Sequence, residues 1–390
     1  MIYEGNCCLG DLLKSSRVKG RFGLPLLSVT MNDGLVGRDE LDRKQDTSLT
    51  PEEHLLVLPG DIAYNTMRMW QGAFGLASRE GLVSPAYVVL RPNRRIDSEF
   101  ASYLLKTPRM LHLLWAYSYG LTADRLRLYY PDFAKIPALV PSVDKQRKIA
   151  KTLRTWDQAI ATAKSITERA RVQKKALLQQ LIPRIASHEN PPQGWQRLRL
   201  GDQVRINPPR PKRPADGRVS FVPMDAVSED GRLTKQYERN YEDVCTGYSS
   251  FSDGDLLIAK ITPCFENGKG VLLGGLRNGI GFGSTEFHVL RPQSGVNPRL
   301  LSHLVNSYEF RRRGESEMEG SAGQKRVTAD FIKSFRFLCP SSADMQESIA
   351  DMLDSVDDAI AAYTTLCEKL NIEKGAVSQR LFAAIRVASK

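Results

Sequence analysis

The side chains best equipped for chemistry sit in four loops. Asn65, Arg68 and Gln71 fall in Tyr64-Asn65-Thr66-Met67-Arg68-Met69-Trp70-Gln71-Gly72, and Arg125 ends Tyr119-Gly120-Leu121-Thr122-Ala123-Asp124-Arg125. Lys260, Thr262, Asn267 and Lys269 fall in Lys260-Ile261-Thr262-Pro263-Cys264-Phe265-Glu266-Asn267-Gly268-Lys269. Gln324, Lys325 and Arg326 end Gly320-Ser321-Ala322-Gly323-Gln324-Lys325-Arg326. Arg and Lys suit the acceptors of guanine, while Asn and Gln can both donate to and accept from adenine. Any one of these residues reads equally well as part of a solvated turn. What points to base-edge contacts is recurrence of one chemical type at matched places, the later loop of each half lying just before Asp132-Phe133 or Asp330-Phe331. Trp70 and Phe265 read as core anchors rather than stacking platforms. Arg311-Arg312-Arg313 looks helical and suits phosphates rather than bases.

Residues for catalysis do not assemble in the same way. Asn207-Pro208-Pro209-Arg210 resembles the Asn-Pro-Pro-aromatic motif of amino-methyltransferases, in which the ring stacks on a flipped base. Here Arg210 holds the aromatic place and Pro211-Lys212-Arg213-Pro214 follows, so the segment reads as a basic, Pro-rich loop. Gly279-Ile280-Gly281-Phe282-Gly283 lacks the strand before and the helix after that a cofactor loop needs. Gly268-Lys269-Gly270 is no Walker loop, because Pro263 stands in the place of its first glycine. His54, His112, His188, His288 and His303 are scattered, and each reads as a surface or core residue. Cys7, Cys8, Cys245, Cys264, Cys339 and Cys367 form no Cys-x-x-Cys pair, so reduced thiols are expected, with no metal bound.

The elements that must position the four loops are written twice. Asp144-Lys145-Gln146-Arg147-Lys148-Ile149-Ala150 returns as Asp344-Met345-Gln346-Glu347-Ser348-Ile349-Ala350, and Val89-Leu90-Arg91-Pro92 as Val289-Leu290-Arg291-Pro292. Leu9-Gly10-Asp11 is echoed by Leu200-Gly201-Asp202, and Gly60-Asp61 by Gly254-Asp255. Residues 144–182 contain no Gly or Pro, and Ile149, Leu153, Trp156 and Ile160 step along a heptad seam that Pro183 stops. A helix of about 40 residues, roughly 60 Å long, is expected there. Its copy carries the seam as Ile349, Leu353, Val356 and Ile360, and Gly375 interrupts that copy. Long amphipathic helices need a partner for the apolar stripe, and the two copies suit each other as an antiparallel coiled coil. A short helix is also expected over Ser98 to Lys106 and a strand over Ala86 to Leu90.

The fold class that results is α+β: two mixed α/β domains in pseudo-two-fold repeat, separated by the two long helices. The expected boundaries are 1–141 for the first domain, 142–183 for the first long helix and 184–196 for a linker marked by Pro191-Pro192-Gln193-Gly194. The second domain follows at 197–340, the second long helix at 341–383 and a tail at 384–390. A chain of 390 residues with 42 % hydrophobic residues can build a core in each half and is no disordered chain. A formal net charge of +11 favours a polyanionic partner. Met1 to Ser15 lacks the apolar run of a signal peptide, and no window reaches the ~18 apolar residues of a membrane span, so a soluble, cytoplasmic protein is expected.

Taken together, these signs resemble the specificity subunit of type I restriction–modification systems. The features that carry the resemblance are Trp195 before Leu200-Gly201-Asp202, the two Gly-Asp pairs, the two Leu-Arg-Pro strand ends and the starts Pro141…Gln146 and Pro340…Gln346. Asn65 to Ala73 and Ser284 to Pro292 are especially similar to the family pattern. One departure is that Leu9-Gly10-Asp11 lacks the lead-in seen at Gly194-Trp195. The resemblance implies a non-catalytic subunit with two target-recognition domains, each reading one half of a split sequence in double-stranded DNA. It implies docking of two methyltransferase subunits, giving an adenine-N6 methylase, and of motor-nuclease subunits for restriction. S-adenosylmethionine, ATP and magnesium then belong to the partners, and no cofactor to this chain. Two rival readings are a self-contained DNA-modifying enzyme, resting on Asn207, and a coiled-coil adaptor that does not touch DNA.

Overall fold

A computed structural model describes residues 5–31, 34–41, 48–122, 125–181, 190–321 and 323–387. The strands that matter below are β1 (Gly5–Cys8), β2 (Leu13–Ser16), β3 (Ile62–Asn65), β4 (Phe74–Leu76), β5 (Tyr87–Pro92) and β6 (Pro137–Val140) in the first half. Their counterparts are β7 (Trp195–Arg199), β8 (Val204–Ile206), β9 (Leu256–Ala259), β10 (Gly270–Leu272), β11 (Phe287–Pro292) and β12 (Arg336–Pro340). The helices that matter below are α1 (Ser98–Leu105), α2 (Pro108–Ala116), α3 (Val143–Leu181), α4 (Pro298–Val305), α5 (Tyr308–Ser316) and α6 (Ala343–Val387). Each short helix starts at a residue whose side chain accepts from the first turn: Asp97, Thr107, Asn297 and Ser307. The expected helix at Ser98 is thus present and ends at Leu105. The helix α6 passes through Gly375 and reaches Val387, beyond the expected stop at 383, because the glycine meets no neighbour and its cost of about 1 kcal/mol is small beside the packing of that helix. The expected linker lies partly outside the described residues, which resume at 190.

The chain divides into two units. Unit 1 holds Met1–Thr162 and Leu366–Lys390, and unit 2 holds Ala163–Thr365, so each long helix is shared between them. In unit 1 a four-stranded antiparallel sheet has the order β2-β5-β3-β4, and β1 pairs with β6. Leu9, Leu12, Tyr64, Phe74, Phe100 and Phe133 fill the core beneath it. Ile149, Ala150 and Leu153 of α3 join that core, and Val377, Leu381, Phe382 and Ile385 of α6 pack on it. The Phe100 and Phe382 rings lie 5.6 Å apart. Unit 2 repeats the plan with the sheet order β8-β11-β9-β10 and the pair β7–β12. Ile349, Ala350 and Leu353 enter its core, against which Leu177, Leu178 and Leu181 pack. A second four-stranded sheet, built on Arg218–Val222, is added in this unit.

Within each unit the two long helices run antiparallel. Lys374 bridges to Asp157 in unit 1, and Lys174 to Asp357 at 2.7 Å in unit 2. The two bridges join equivalent residues with the roles of α3 and α6 exchanged. Ile160 and Ile360 are buried along the seam, and Trp156 and Val356 are half-buried. The first turns of the seam behave differently from a free coiled coil: Ile149, Leu153, Ile349 and Leu353 are core residues of the globular parts.

The duplicated motifs are structural ties. Asp61 is buried and takes a two-pronged bond from Arg91, at 3.0 and 2.7 Å, while accepting from the Leu58 amide. Asp255 takes the same from Arg291, at 2.7 Å for both contacts, and from the Ser252 amide. Paired and hydrogen-bonded in this way, a carboxylate can stay ionised in a core. A Cβ on Gly10 would lie 2.6 Å from that of Ala134, and one on Gly201 2.8 Å from the Lys333 carbonyl, so each Leu-Gly-Asp turn needs its glycine for close approach.

Gln146 and Gln346 are fully enclosed. The Gln346 amide donates to the Pro340 and Gly295 carbonyls and accepts from the Asn297 amide, at 2.9, 3.2 and 2.7 Å. Gln146 does the same with Pro141, Arg95 and Asp97. Gln346→Ala strands two carbonyls and one N–H, and a stability loss of about 2–4 kcal/mol is expected from denaturant unfolding. An equal transition midpoint in variant and parent would refute this role.

Candidate nucleic-acid interface

The two polar loops of each unit are brought side by side by the same backbone bonds. In unit 1 the Leu128 amide donates to the Thr66 carbonyl at 2.9 Å, and Tyr119 and Arg127 exchange bonds of 2.9 and 2.8 Å. In unit 2 the Val327 amide donates to the Lys260 carbonyl at 2.9 Å, and Glu319 and Arg326 exchange bonds of 3.0 and 2.8 Å. The Thr262 amide adds a bond to the Lys325 carbonyl. Each first loop leaves the end of a central strand, β3 or β9, and is pinned by one fully buried side chain, Met69 or Phe265. Phe265 is therefore a core anchor, as its sequence suggests. Trp70 is half-buried and donates its ring N–H to the Met67 carbonyl.

The candidate residues divide by whether their polar ends are already engaged. In unit 1 the Asn65 carbonyl oxygen accepts from the Met67 amide. Arg68, Gln71 and Arg125 are exposed, and Ala123 and Asp124 of the second loop lie outside the described residues. In unit 2 Lys260 donates to the Thr285 carbonyl and Lys269 to that of Met224. Burial pushes the Lys260 ammonium below its usual range. Asn267 donates to Glu229, and the Thr262 hydroxyl is buried without a partner. Arg326 grips Glu286 with Nε and Nη2, which raises its own pKa and lowers that of the carboxylate. Gln324 and Lys325 are exposed, and Ala322 lies outside the described residues. The freest donors are thus Arg68, Gln71 and Arg125 in one unit and Gln324 and Lys325 in the other.

Arg311 corrects an expectation. It is only 6 % exposed, its guanidinium stacks over the Phe265 ring at 4.7 Å, and it donates to the Phe265 carbonyl and to Asn306. Burial pushes its pKa down to about 9. The helical period explains the error: Phe310, Arg311 and Gly314 share the inner face of α5, while Arg312 and Arg313 face out. A run of three arginines does not say which one the helix turns inward. Arg311 braces the loop that carries Asn267 and Lys269.

Sequence reading also passed over side chains that only tertiary structure gathers. Arg17, Lys19, Tyr87 and Tyr129 of unit 1 surround one cleft beside the Asn65 loop. Elsewhere His303, Asp354 and Asp357 bring possible metal ligands within 4.8 Å of one another. Arg299 pairs with Asp354 and Lys174 with Asp357, so these carboxylates are already balanced by cations. Asn207 is engaged too: its side-chain oxygen accepts from the Val289 amide, fixing a backbone turn at φ 48°.

No family model matches the sequence. The chain is 41 % identical over 167 residues to the type I restriction enzyme EcoAI specificity subunit of Escherichia coli, which is 42 % of this chain and 28 % of that protein. It is 38 % identical over 178 residues to the EcoEI specificity subunit of Escherichia coli, 44 % of this chain and 30 % of that protein. The matched stretches span less than a third of these relatives. The fold is similar to the S subunit of a type I restriction–modification system from M. genitalium, with 14 % identity, a TM-score of 0.56 and coverage of 97 % of this chain and 95 % of that one. A chain from a study of complex assembly and conformational transition in the type I R-M system gives 14 % identity, a TM-score of 0.55 and coverage of 97 % of both. No described helix is long and apolar enough to cross a membrane.

The second polar loop of unit 2 has a built-in acid sensitivity. His288 is buried beneath it, bonded through Nε2 to the Val327 carbonyl, and burial pushes its pKa from 6.5 to about 4. Folding then favours the neutral ring, so stability present above pH 6.5 is lost as pH falls toward 4, by up to about 3 kcal/mol. His288→Gln is expected to flatten this part of the stability profile between pH 7 and pH 5. Unchanged acid sensitivity in denaturant melts would count against it. In sequence and in fold, the chain is similar to the specificity subunits of type I restriction enzymes.

Proposed function

We propose that this chain is the DNA-reading subunit of a type I restriction–modification complex and that each unit reads one half of a split target. The observation that carries the reading is the repeated docking of two polar loops at the end of a central strand. Base readout needs side chains held rigidly enough to distinguish neighbouring acceptors, and paired loops tied by backbone bonds provide that. The net charge of +11 supplies attraction to the phosphate backbone.

The chemistry is assigned to partners. Two methyltransferase subunits carrying S-adenosylmethionine modify adenine at N6, and motor-nuclease subunits use ATP and magnesium. Repetition in this chain favours two copies of one partner. Each unit has a groove between its second short helix and the last turns of a long helix: Met110 with Phe382 in unit 1, and Tyr308 with Leu178 in unit 2. A self-contained enzyme is disfavoured because the Asn207 side chain is committed to Val289 and Arg210 stands where a stacking ring would be needed.

The test is methylation of a randomised DNA library by the complex. Arg68→Ala with Gln71→Ala is expected to relax preference at one or two base pairs of one half-site. Gln324→Ala with Lys325→Ala relaxes the other. Each well-placed two-pronged contact is worth about 1–3 kcal/mol. Equal loss over both half-sites in both variants would mean that these residues hold phosphates or loops and do not read bases.

A further inference from the structure

We propose that a cleft in unit 1, rimmed by Arg17 and Lys19 and walled by Tyr87 and Tyr129, holds a backbone phosphodiester of DNA beside the half-site that this unit reads. The inference rests on the DNA-reading function above and adds a subsite to it.

The cleft has a volume of about 270 Å³ and lies where β2 leaves the sheet. Its position is tied to the recognition loops through two strands. Tyr87 is the register partner of Asn65 across β3 and β5, and the Thr66 hydroxyl reaches the Ala86 carbonyl. Tyr129 directly follows the second loop, and its hydroxyl accepts a 3.4 Å contact from Arg127. A strand of DNA lying on Asn65, Arg68 and Arg125 therefore passes this opening.

Three observations give the cleft its ligand class. Arg17 and Lys19 are exposed and form no ion pair among the described residues, although many other surface arginines here do. Ser16 lines the cleft and is 8 % exposed, and its Oγ is enclosed without a hydrogen-bond partner, so that a change of its χ1 rotamer brings the hydroxyl to a ligand in the opening. A guanidinium, an ammonium and a hydroxyl are all donors, and together they match the acceptor-only, singly charged phosphodiester. The tyrosine rings offer apolar walls that suit the adjoining sugar.

Unit 2 uses the same place otherwise, which separates this feature from the common framework. Ser16 pairs with Val89, and the corresponding residue Asn207 bonds to Val289 through both its amide and its side chain. Pro208-Pro209-Arg210 then stands where unit 1 has Arg17-Val18-Lys19. The position that is satisfied internally in one unit is left with an unused donor in the other.

The experiment uses the full chain in its complex and a duplex containing the methylated target, with fluorescence anisotropy as readout. Ser16→Ala is expected to leave the melting temperature unchanged or raise it, because an unpaired buried hydroxyl is removed, while lowering DNA affinity about tenfold. Arg17→Ala with Lys19→Ala is expected to lower the slope of log affinity against log salt by about 2 without altering base preference. Neutral methylphosphonates placed singly along the duplex should reveal one position that weakens the parent complex but not the double variant. Parent-like affinity in Ser16→Ala, or no backbone position whose effect depends on Arg17 and Lys19, would overturn the subsite while leaving the DNA-reading function intact. Failure of the parent complex to bind any duplex would overturn both.

Discussion

The side-chain amide of one glutamine at the start of each long helix is the contact on which the arrangement depends. Gln146 and Gln346 each satisfy two carbonyls and one amide from chain segments that end or begin secondary structure. A long helix leaving a small domain has many rotations about its first turn available. A buried three-way amide removes nearly all of them, because any other rotation leaves polar groups unpaired in the core. The apolar residues that follow, Ile149 and Leu153 or Ile349 and Leu353, then fall on the domain core rather than on solvent. Direction of the helix, and with it the place where the other helix can pack, follows from that constraint.

The same economy governs the paired polar loops. Asp61 with Arg91, and Asp255 with Arg291, tie the turn before a central strand to the end of its neighbour. These pairs keep the strands β3 and β9 in register, and the loops that leave those strands inherit the position. Side chains of the loops are then free to differ. Unit 1 leaves Arg68 and Gln71 unengaged, whereas unit 2 commits Lys260, Lys269 and Arg326 to internal partners and leaves Gln324 and Lys325 outward. A common frame with divergent loop chemistry is what a molecule needs if its halves are to read different sequences.

Charge plays two separate parts in the chain. Along the long helices it is paired: Lys174 with Asp357 and Lys374 with Asp157, with Arg299 set among Asp351 and Asp354. These carboxylates and cations neutralise one another locally and add little to the field that DNA would feel. The unpaired excess lies instead on exposed residues such as Arg17, Lys19, Arg68 and Lys325. Net charge alone does not separate the two populations, since only the second can release counterions from a polyanion.

Much of the framework was legible in the sequence because repetition and periodicity are one-dimensional signals. The echo of Gln146 in Gln346, the two Gly-Asp pairs and the heptad steps announced two alike domains and two long helices without reference to contacts. Local composition also pointed to Phe265 as an anchor, which the fold buries completely, while the expected stop at Pro183 lies outside the described residues. What tertiary structure decided was the use made of each polar side chain. Arg311 and Arg312 are neighbours of one type, yet the turn of α5 buries the first on Phe265 and exposes the second. Ser16 and Asn207 hold equivalent places, and only the chain around them decides that one amide is satisfied and one hydroxyl is not. The cleft of Arg17, Lys19, Tyr87 and Tyr129 joins residues far apart in the chain, and no spacing rule connects them. Composition and period depend on a residue and its near neighbours, whereas hydrogen-bond satisfaction depends on every segment that packs nearby, which exists only after the fold has formed.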